Sequence, residues 1–184
     1  MERISLLASS NDIEKAIGEM ATAILADHQH SSPLFVALLR GAAPFASKLM
    51  FELARQNPNF HPDLDYMMVS TYGNEMSAST PRIITDLAPD TVVNGRTVIV
   101  LDDVLDKGIT ANFVFDHLRG RGAAATELAV LCQKNVPRDY AITARYSALD
   151  VEDGWLIGMG MDNASTAHEA YRWHNEILLF SPGD

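Results

Sequence analysis

With 184 residues and 47% apolar content, the chain is long enough to bury one full core, and it reads as a single domain, 1–184, with room for a small appended lobe. Fourteen Lys and Arg against 24 Asp and Glu leave a formal net charge of −10, and no Lys/Arg cluster or stripe offers a footprint for nucleic acid. No apolar run approaches the roughly 18–20 residues of a membrane span, Met1-Glu2-Arg3 does not open a signal peptide, and the single cysteine, Cys132, has no internal disulfide partner, so a cytosolic, cytoplasmic protein is expected.

Residues 11–28 read as a helix. Asn11 is the expected cap with Glu14 as its capping-box partner, and Ile13, Ala16, Ile17, Met20, Ile24 and Leu25 form an apolar stripe. His28 and His30 near its end are expected to face solvent rather than to hold a metal. Pro33–Leu39 is a buried-strand candidate that runs into Arg40-Gly41 and an apolar helix over residues 45–56. A third strand, Tyr66–Val69, leads to Thr71-Tyr72, and the polar residues 73–81 read as a mobile loop closed by Pro81. Arg82–Thr85 resumes an extended run, and Asn94-Gly95 is a hairpin-type turn feeding the next strand. A helix over 109–120 ends at the glycine caps Gly120 and Gly122. Glu127–Cys132 is a further strand, with Cys132 as a small buried hydrophobe. Trp155–Gly158 and Ile177–Phe180 are the last two short strands. Strands alternating with helices predict an α/β fold with a mainly parallel sheet flanked by helices.

The stretch 98–110 carries the most chemistry. Val98 to Leu101 is a strand without polar alternation, which suits burial on both faces. Asp102 and Asp103 come at its carboxyl end, and the turn Asp106-Lys107-Gly108-Ile109-Thr110 opens the following helix. In open α/β sheets, ligands bind at the carboxyl ends of strands. A helix N-terminus placed there presents N–H groups to a phosphate. Paired acids beside an anion cradle suit a polyol phosphate, with the acids holding ribose hydroxyls or a magnesium ion and the loop holding the phosphate. Arg40-Gly41 adds a forked donor for phosphate oxygens beside a residue that permits close backbone approach.

Residues 98–110 resemble the phosphoribosyl pyrophosphate signature of the type I phosphoribosyltransferases: a strand, two acids, two apolar residues, an acid, Thr or Ser, Gly, any residue, Thr. The one departure is Lys107, which stands where Thr or Ser is usual. Its ammonium would reach the phosphate, or it would point to solvent while the backbone N–H donates. The resemblance covers about residues 33–180 and implies a small hood lobe built from chain-terminal segments. It also implies that Asp102 and Asp103 bind ribose hydroxyls and magnesium, that Gly108, Ile109 and Thr110 hold the 5′-phosphate, and that Asp106 handles the proton on the base's imidazole nitrogen.

Arg40-Gly41 is similar to the family's pyrophosphate loop, in which a non-proline cis peptide is expected between the Arg and the Gly. Thr71-Tyr72 matches the lid of the hypoxanthine-guanine branch. In that branch Lys134 would contact the purine's exocyclic oxygen, Trp155 would stack on the base, and Leu156 would offer its backbone carbonyl. Asp162 would be the acid associated with a second magnesium. Arg172 would bind pyrophosphate, although it lies ten residues beyond Asp162, farther than usual, and His168 competes for that role. The implied activity is transfer of phosphoribose from phosphoribosyl pyrophosphate to hypoxanthine or guanine in purine salvage, with Mg2+ as cofactor, in a homodimer or homotetramer. Transfer to xanthine or another base is the alternative within the enzyme class. A regulatory protein of the same fold that binds nucleic acid is the alternative outside it, and the acidic charge opposes that reading.

Overall fold

The computed structural model describes residues 3–70, 81–163 and 166–181. Its elements in chain order are β1 (Arg3–Ala8), α1 (Ser10–His28), β2 (Leu34–Leu39), α2 (Ala43–Gln56), β3 (Asp63–Ser70), β4 (Arg82–Thr85), β5 (Thr97–Leu105), α3 (Ile109–Gly120), β6 (Ala125–Lys134), β7 (Tyr146–Val151), β8 (Trp155–Ile157) and β9 (Ile177–Ser181). The six-stranded sheet has the order β4-β3-β2-β5-β6-β7, and every pairing in it is parallel except that of β4 with β3. A separate antiparallel sheet, β1-β9-β8, brings the two ends of the chain together as the expected hood lobe.

The unbroken apolar run of β5 is explained by its central place. Val98, Ile99, Val100 and Leu101 have no exposed surface, and burying each such side chain contributes about 1.5–3 kcal/mol. Ile99 and Leu101 face the layer formed by α1 and α2, together with Phe35, Ala37, Ala129 and Leu131 of the neighbouring strands. Val98 and Val100 face α3 with Val36, Leu38, Leu128 and Val130. The period-two alternation of a strand therefore splits one apolar run between two cores.

Several local expectations change. Helix α1 begins at Ser10 and is capped by Ser9, not Asn11. Asp12, not Glu14, closes the capping box, with the Ser9 N–H donating to its carboxylate at 3.0 Å. The chain leaves β1 at Ala8, so the helix starts as soon as the strand ends. His28 is buried rather than exposed, because α1 packs against β7, where the His28 ring meets Tyr146 edge-on, beside Glu127 of β6. Its Nε2 lies 3.1 Å from a Glu127 carboxylate oxygen and its Nδ1 lies 3.2 Å from the Ser31 hydroxyl. Asn94-Gly95 is a tight turn with Gly95 at φ 76, yet β4 and β5 do not pair. The Gly95 N–H bonds the Gly122 carbonyl instead, at 2.8 Å. Strands β1 and β7 are additions to the sequence reading. Arg3–Leu7 of β1 are all exposed, so no buried face marks them as a strand. Thr71, Tyr72 and the loop residues 73–80 lie outside the described residues.

Candidate active site

Three chain segments meet at the carboxyl ends of β2, β5 and β6. Strand β5 runs through Asp102 and Asp103 to Leu105, placing both acids in the strand itself. The Asp103 carboxylate accepts the Val104 N–H at 2.8 Å, and Asp102 accepts the Asp103 N–H at 3.0 Å. Burial raises both carboxyl pKa values. The charge of Asp103 pushes Asp102 further up, while Asp103 is drawn back by its hydrogen bonds and by the nearby Arg172 guanidinium. Two adjacent acids forced toward protonation gain from a cation. Their hard oxygens suit magnesium, which needs only one or two carboxylates when substrate phosphates complete its shell. Among the described residues no cluster of three or more metal-ligating side chains exists to hold a metal unaided.

Gly108 is the N-cap of α3 at φ 81, a left-handed conformation that glycine adopts without strain. No side chain caps this helix. Ile109 and Thr110 open its first turn, where backbone N–H groups have no intrahelical partner. Lys107 is an exposed residue. Its ammonium donates to the Pro137 carbonyl at 3.2 Å, and its own carbonyl accepts the Asp139 N–H at 3.0 Å. These two bonds tie the turn to the segment that follows β6. Asp106 lies one residue before Lys107, and its carboxylate receives the Lys134 ammonium at 2.8 Å. Lys134, at the end of β6, also lies 3.6 Å from Asp153. Two residues farther on, Trp155 is 53% exposed, whereas Leu156 is buried.

The third segment is the loop after β2. A cis peptide joins Leu39 to Arg40, one bond earlier than the Arg40–Gly41 position expected. Gly41 packs so closely that a Cβ there would stand 2.6 Å from Asp103 Cγ, and a Cβ on Gly160 would stand 2.9 Å from the Gly41 carbonyl carbon. The loop around Gly160 is thus pressed onto the loop around Gly41. Arg172 holds this arrangement from beneath. Its side chain is 9% exposed, and its three guanidine nitrogens reach Glu169, the Gly160 carbonyl and Asp162, the last at 3.0 Å. Glu169 in turn accepts from Arg40 at 2.7 Å. His168 is almost fully exposed and lies 3.8 Å from Glu169. Arg172 is thus bound to both Glu169 and Asp162, whereas His168 meets Glu169 from an exposed position.

Glu169, Gly160 and Asp153 join the site only in the folded chain. Glu169 stands three residues before Arg172, but no helix runs through them, so the spacing alone pointed nowhere.

The phosphoribosyl transferase domain pattern matches residues 5–164. The chain belongs to the phosphoribosyltransferase family. The hypoxanthine-guanine phosphoribosyltransferase of Bacillus subtilis (strain 168) is 31% identical over 168 residues, which span 91% of this chain and 87% of that protein. Its counterpart from Streptococcus pyogenes serotype M3 is 30% identical over 160 residues, 86% of this chain and 85% of that one. Among solved structures, a hypoxanthine phosphoribosyltransferase from Staphylococcus aureus superposes with a TM-score of 0.85 at 26% identity, covering 97% of this chain and 91% of that one. A hypoxanthine-guanine phosphoribosyltransferase from Bacillus anthracis gives 0.84 at 25% identity over 98% and 100%. The mainly parallel sheet with a terminal hood is shared with these neighbours.

Proposed function

We propose that this phosphoribosyltransferase acts in purine salvage, moving phosphoribose from phosphoribosyl pyrophosphate to hypoxanthine or guanine and releasing pyrophosphate. The observation that carries the reading is the meeting of Asp102-Asp103, the Asp106–Lys134 pair and the Arg40 loop at the carboxyl ends of β2, β5 and β6. The names of the relatives, spanning nearly the whole chain, point the same way.

In this reading Asp102 and Asp103 take the ribose hydroxyls, and with Asp162 they are the candidate magnesium holders. Bound magnesium would neutralise charge on the diphosphate as it leaves. The N-terminus of α3, with Gly108, Ile109 and Thr110, cradles the 5′-phosphate. Lys107 contributes its backbone there, since its ammonium is engaged with Pro137. Arg40, Gly41 and Arg172 receive the pyrophosphate end. Cations fixed there before the reaction stabilise negative charge as the glycosidic bond loosens toward an oxocarbenium-like state. Asp106 stands at the imidazole nitrogen of the base and takes its proton. Lys134 donates to the 6-oxo oxygen, Trp155 stacks on the ring, and the Leu156 carbonyl reads the opposite edge. Thr71 and Tyr72 keep the lid role implied by resemblance. The whole chain, 1–184, acts as one domain in a homodimer or homotetramer.

A base panel tests this: hypoxanthine, guanine, xanthine and adenine with phosphoribosyl pyrophosphate and magnesium, read by pyrophosphate release. Hypoxanthine or guanine should lead, and EDTA should abolish turnover until magnesium is restored. Preference for xanthine would move the enzyme to that base. Silence with every base would defeat the reading.

A further inference from the structure

Glu169 joins two cations that come from distant parts of the chain. One carboxylate oxygen accepts from Arg40, 129 residues away, and the other accepts from Arg172. This is the pattern a phosphate group would present to the same pair: one oxygen to each guanidinium. The turn that aims Glu169 is unusual, because Glu169 at φ 62 and Tyr171 at φ 65 both hold left-handed backbone conformations that side-chain-bearing residues rarely adopt. Such conformations persist where surrounding contacts fix them, and they cluster at functional sites.

The two contacts are unequal. Arg172 is 9% exposed and is also held by Gly160 and Asp162, whereas the Arg40 side chain is 57% exposed. The bond to Arg40 is the one that can open. Arg40 and Arg172 against Asp162 and Glu169 make a neutral set of four charges, so a diphosphate arriving at the arginines meets a carboxylate already in place.

We propose that Glu169 is a positioning residue that acts as an anionic placeholder in the pyrophosphate site. Its carboxylate holds Arg40 in register with Arg172 while the site is empty, and the incoming diphosphate displaces it from Arg40. The inference rests on the pyrophosphate role given to these arginines above. Its consequence is kinetic as well as structural: by competing for Arg40, Glu169 weakens retention of the pyrophosphate product.

Glu169→Gln keeps the shape and removes the charge. Calorimetric titration of sodium pyrophosphate into the full chain, at fixed magnesium concentration, should give binding about three- to tenfold tighter for Glu169→Gln than for the wild type, the size of one partly screened charge contact. Pyrophosphate inhibition should strengthen in parallel while the KM for the purine does not move, a split that simple loosening of the loop does not produce. Glu169→Asp, which retains the charge, should stay nearer the wild type, and Glu169→Ala serves as a second neutral variant if Gln disturbs folding. In an Arg40→Met background the gain from Glu169→Gln should largely vanish, because the effect runs through Arg40. Unchanged or weaker pyrophosphate binding in both neutral variants would overturn the proposal, as would an equal gain in the Arg40→Met background. Failure of the wild type to bind pyrophosphate at all would also overturn it. Inactivity toward every base would defeat the proposed reaction separately, since these binding heats do not depend on turnover.

Discussion

Gly41→Ala separates the site from the scaffold more cleanly than any other single change. A methyl group on Gly41 would sit 2.6 Å from Asp103 Cγ and 3.2 Å from its second carboxylate oxygen. The other carboxylate oxygen stands closer still, and non-bonded atoms in contact prefer about 3.5–4.0 Å, so the Asp103 carboxyl must retreat by about 1.5 Å. In doing so it gives up or bends the 2.8 Å bond it accepts from the Val104 N–H, a contact with a charged acceptor worth about 1.5–3 kcal/mol. Gly41 is not among the positive-φ glycines, so the backbone itself tolerates alanine and the sheet is untouched.

A loss of about 1–2 kcal/mol lowers Tm by about 2–8 °C in a chain of this size. Activity is more sensitive, because a 1 Å misplacement of a positioning group costs about 10²-fold in rate, or about 2.7 kcal/mol of barrier. The assay is pyrophosphate release at saturating base, with the KM for phosphoribosyl pyrophosphate measured alongside. Gly18→Ala is the control: it lies inside α1 with only an ordinary 3.5 Å contact to Glu52, and it should be neutral or stabilising by about 0.5–1 kcal/mol. Wild-type turnover in Gly41→Ala would refute the placing of Asp103 against this loop as a requirement of catalysis.

Asp106→Asn should keep the melting temperature within a few degrees while cutting turnover by about 10²–10⁴-fold, the range for a general acid or base; near-normal turnover would remove Asp106 from the mechanism. Lys134→Gln should narrow the discrimination against adenine, because Gln both donates and accepts whereas an ammonium facing the adenine amino group leaves two donors unpaired, a cost of about 1–3 kcal/mol when buried; a panel of kcat/KM values across the bases decides it. Glu52 is held down to a pKa of about 2 by hydrogen bonds from Arg55 and Gln56, below its ordinary 4.5. A depressed carboxyl stabilises the fold above the unfolded pKa and loses that contribution as pH falls toward the folded one. Thermal melts should therefore show Glu52→Gln less stable than wild type at pH 7 by at most about 1 kcal/mol, with the gap closing between pH 4.5 and 2; a gap that widens on acidification would contradict the pairing.

The sequence by itself determined the elements whose meaning is local. Val98–Leu101 has no polar alternation because both faces of β5 are covered, and that is visible in four consecutive residues. Asp102, Asp103, Asp106 and Gly108 sit at fixed offsets from that strand and helix, so their spacing alone placed them at the carboxyl end of the strand. Only the tertiary structure decided the rest. His28 looked like a frayed helix end until Glu127, 99 residues on, was packed beneath it. The Pro137 carbonyl that the Lys107 ammonium meets comes from the segment after β6, 30 residues on. Glu169 was one acid among 24 until folding set it between Arg40 and Arg172. Periodicity and turn chemistry are properties of neighbours in the chain and leave a trace there. An ion pair between distant segments leaves none, because its distance and its burial exist only once the sheet has brought the two loops together.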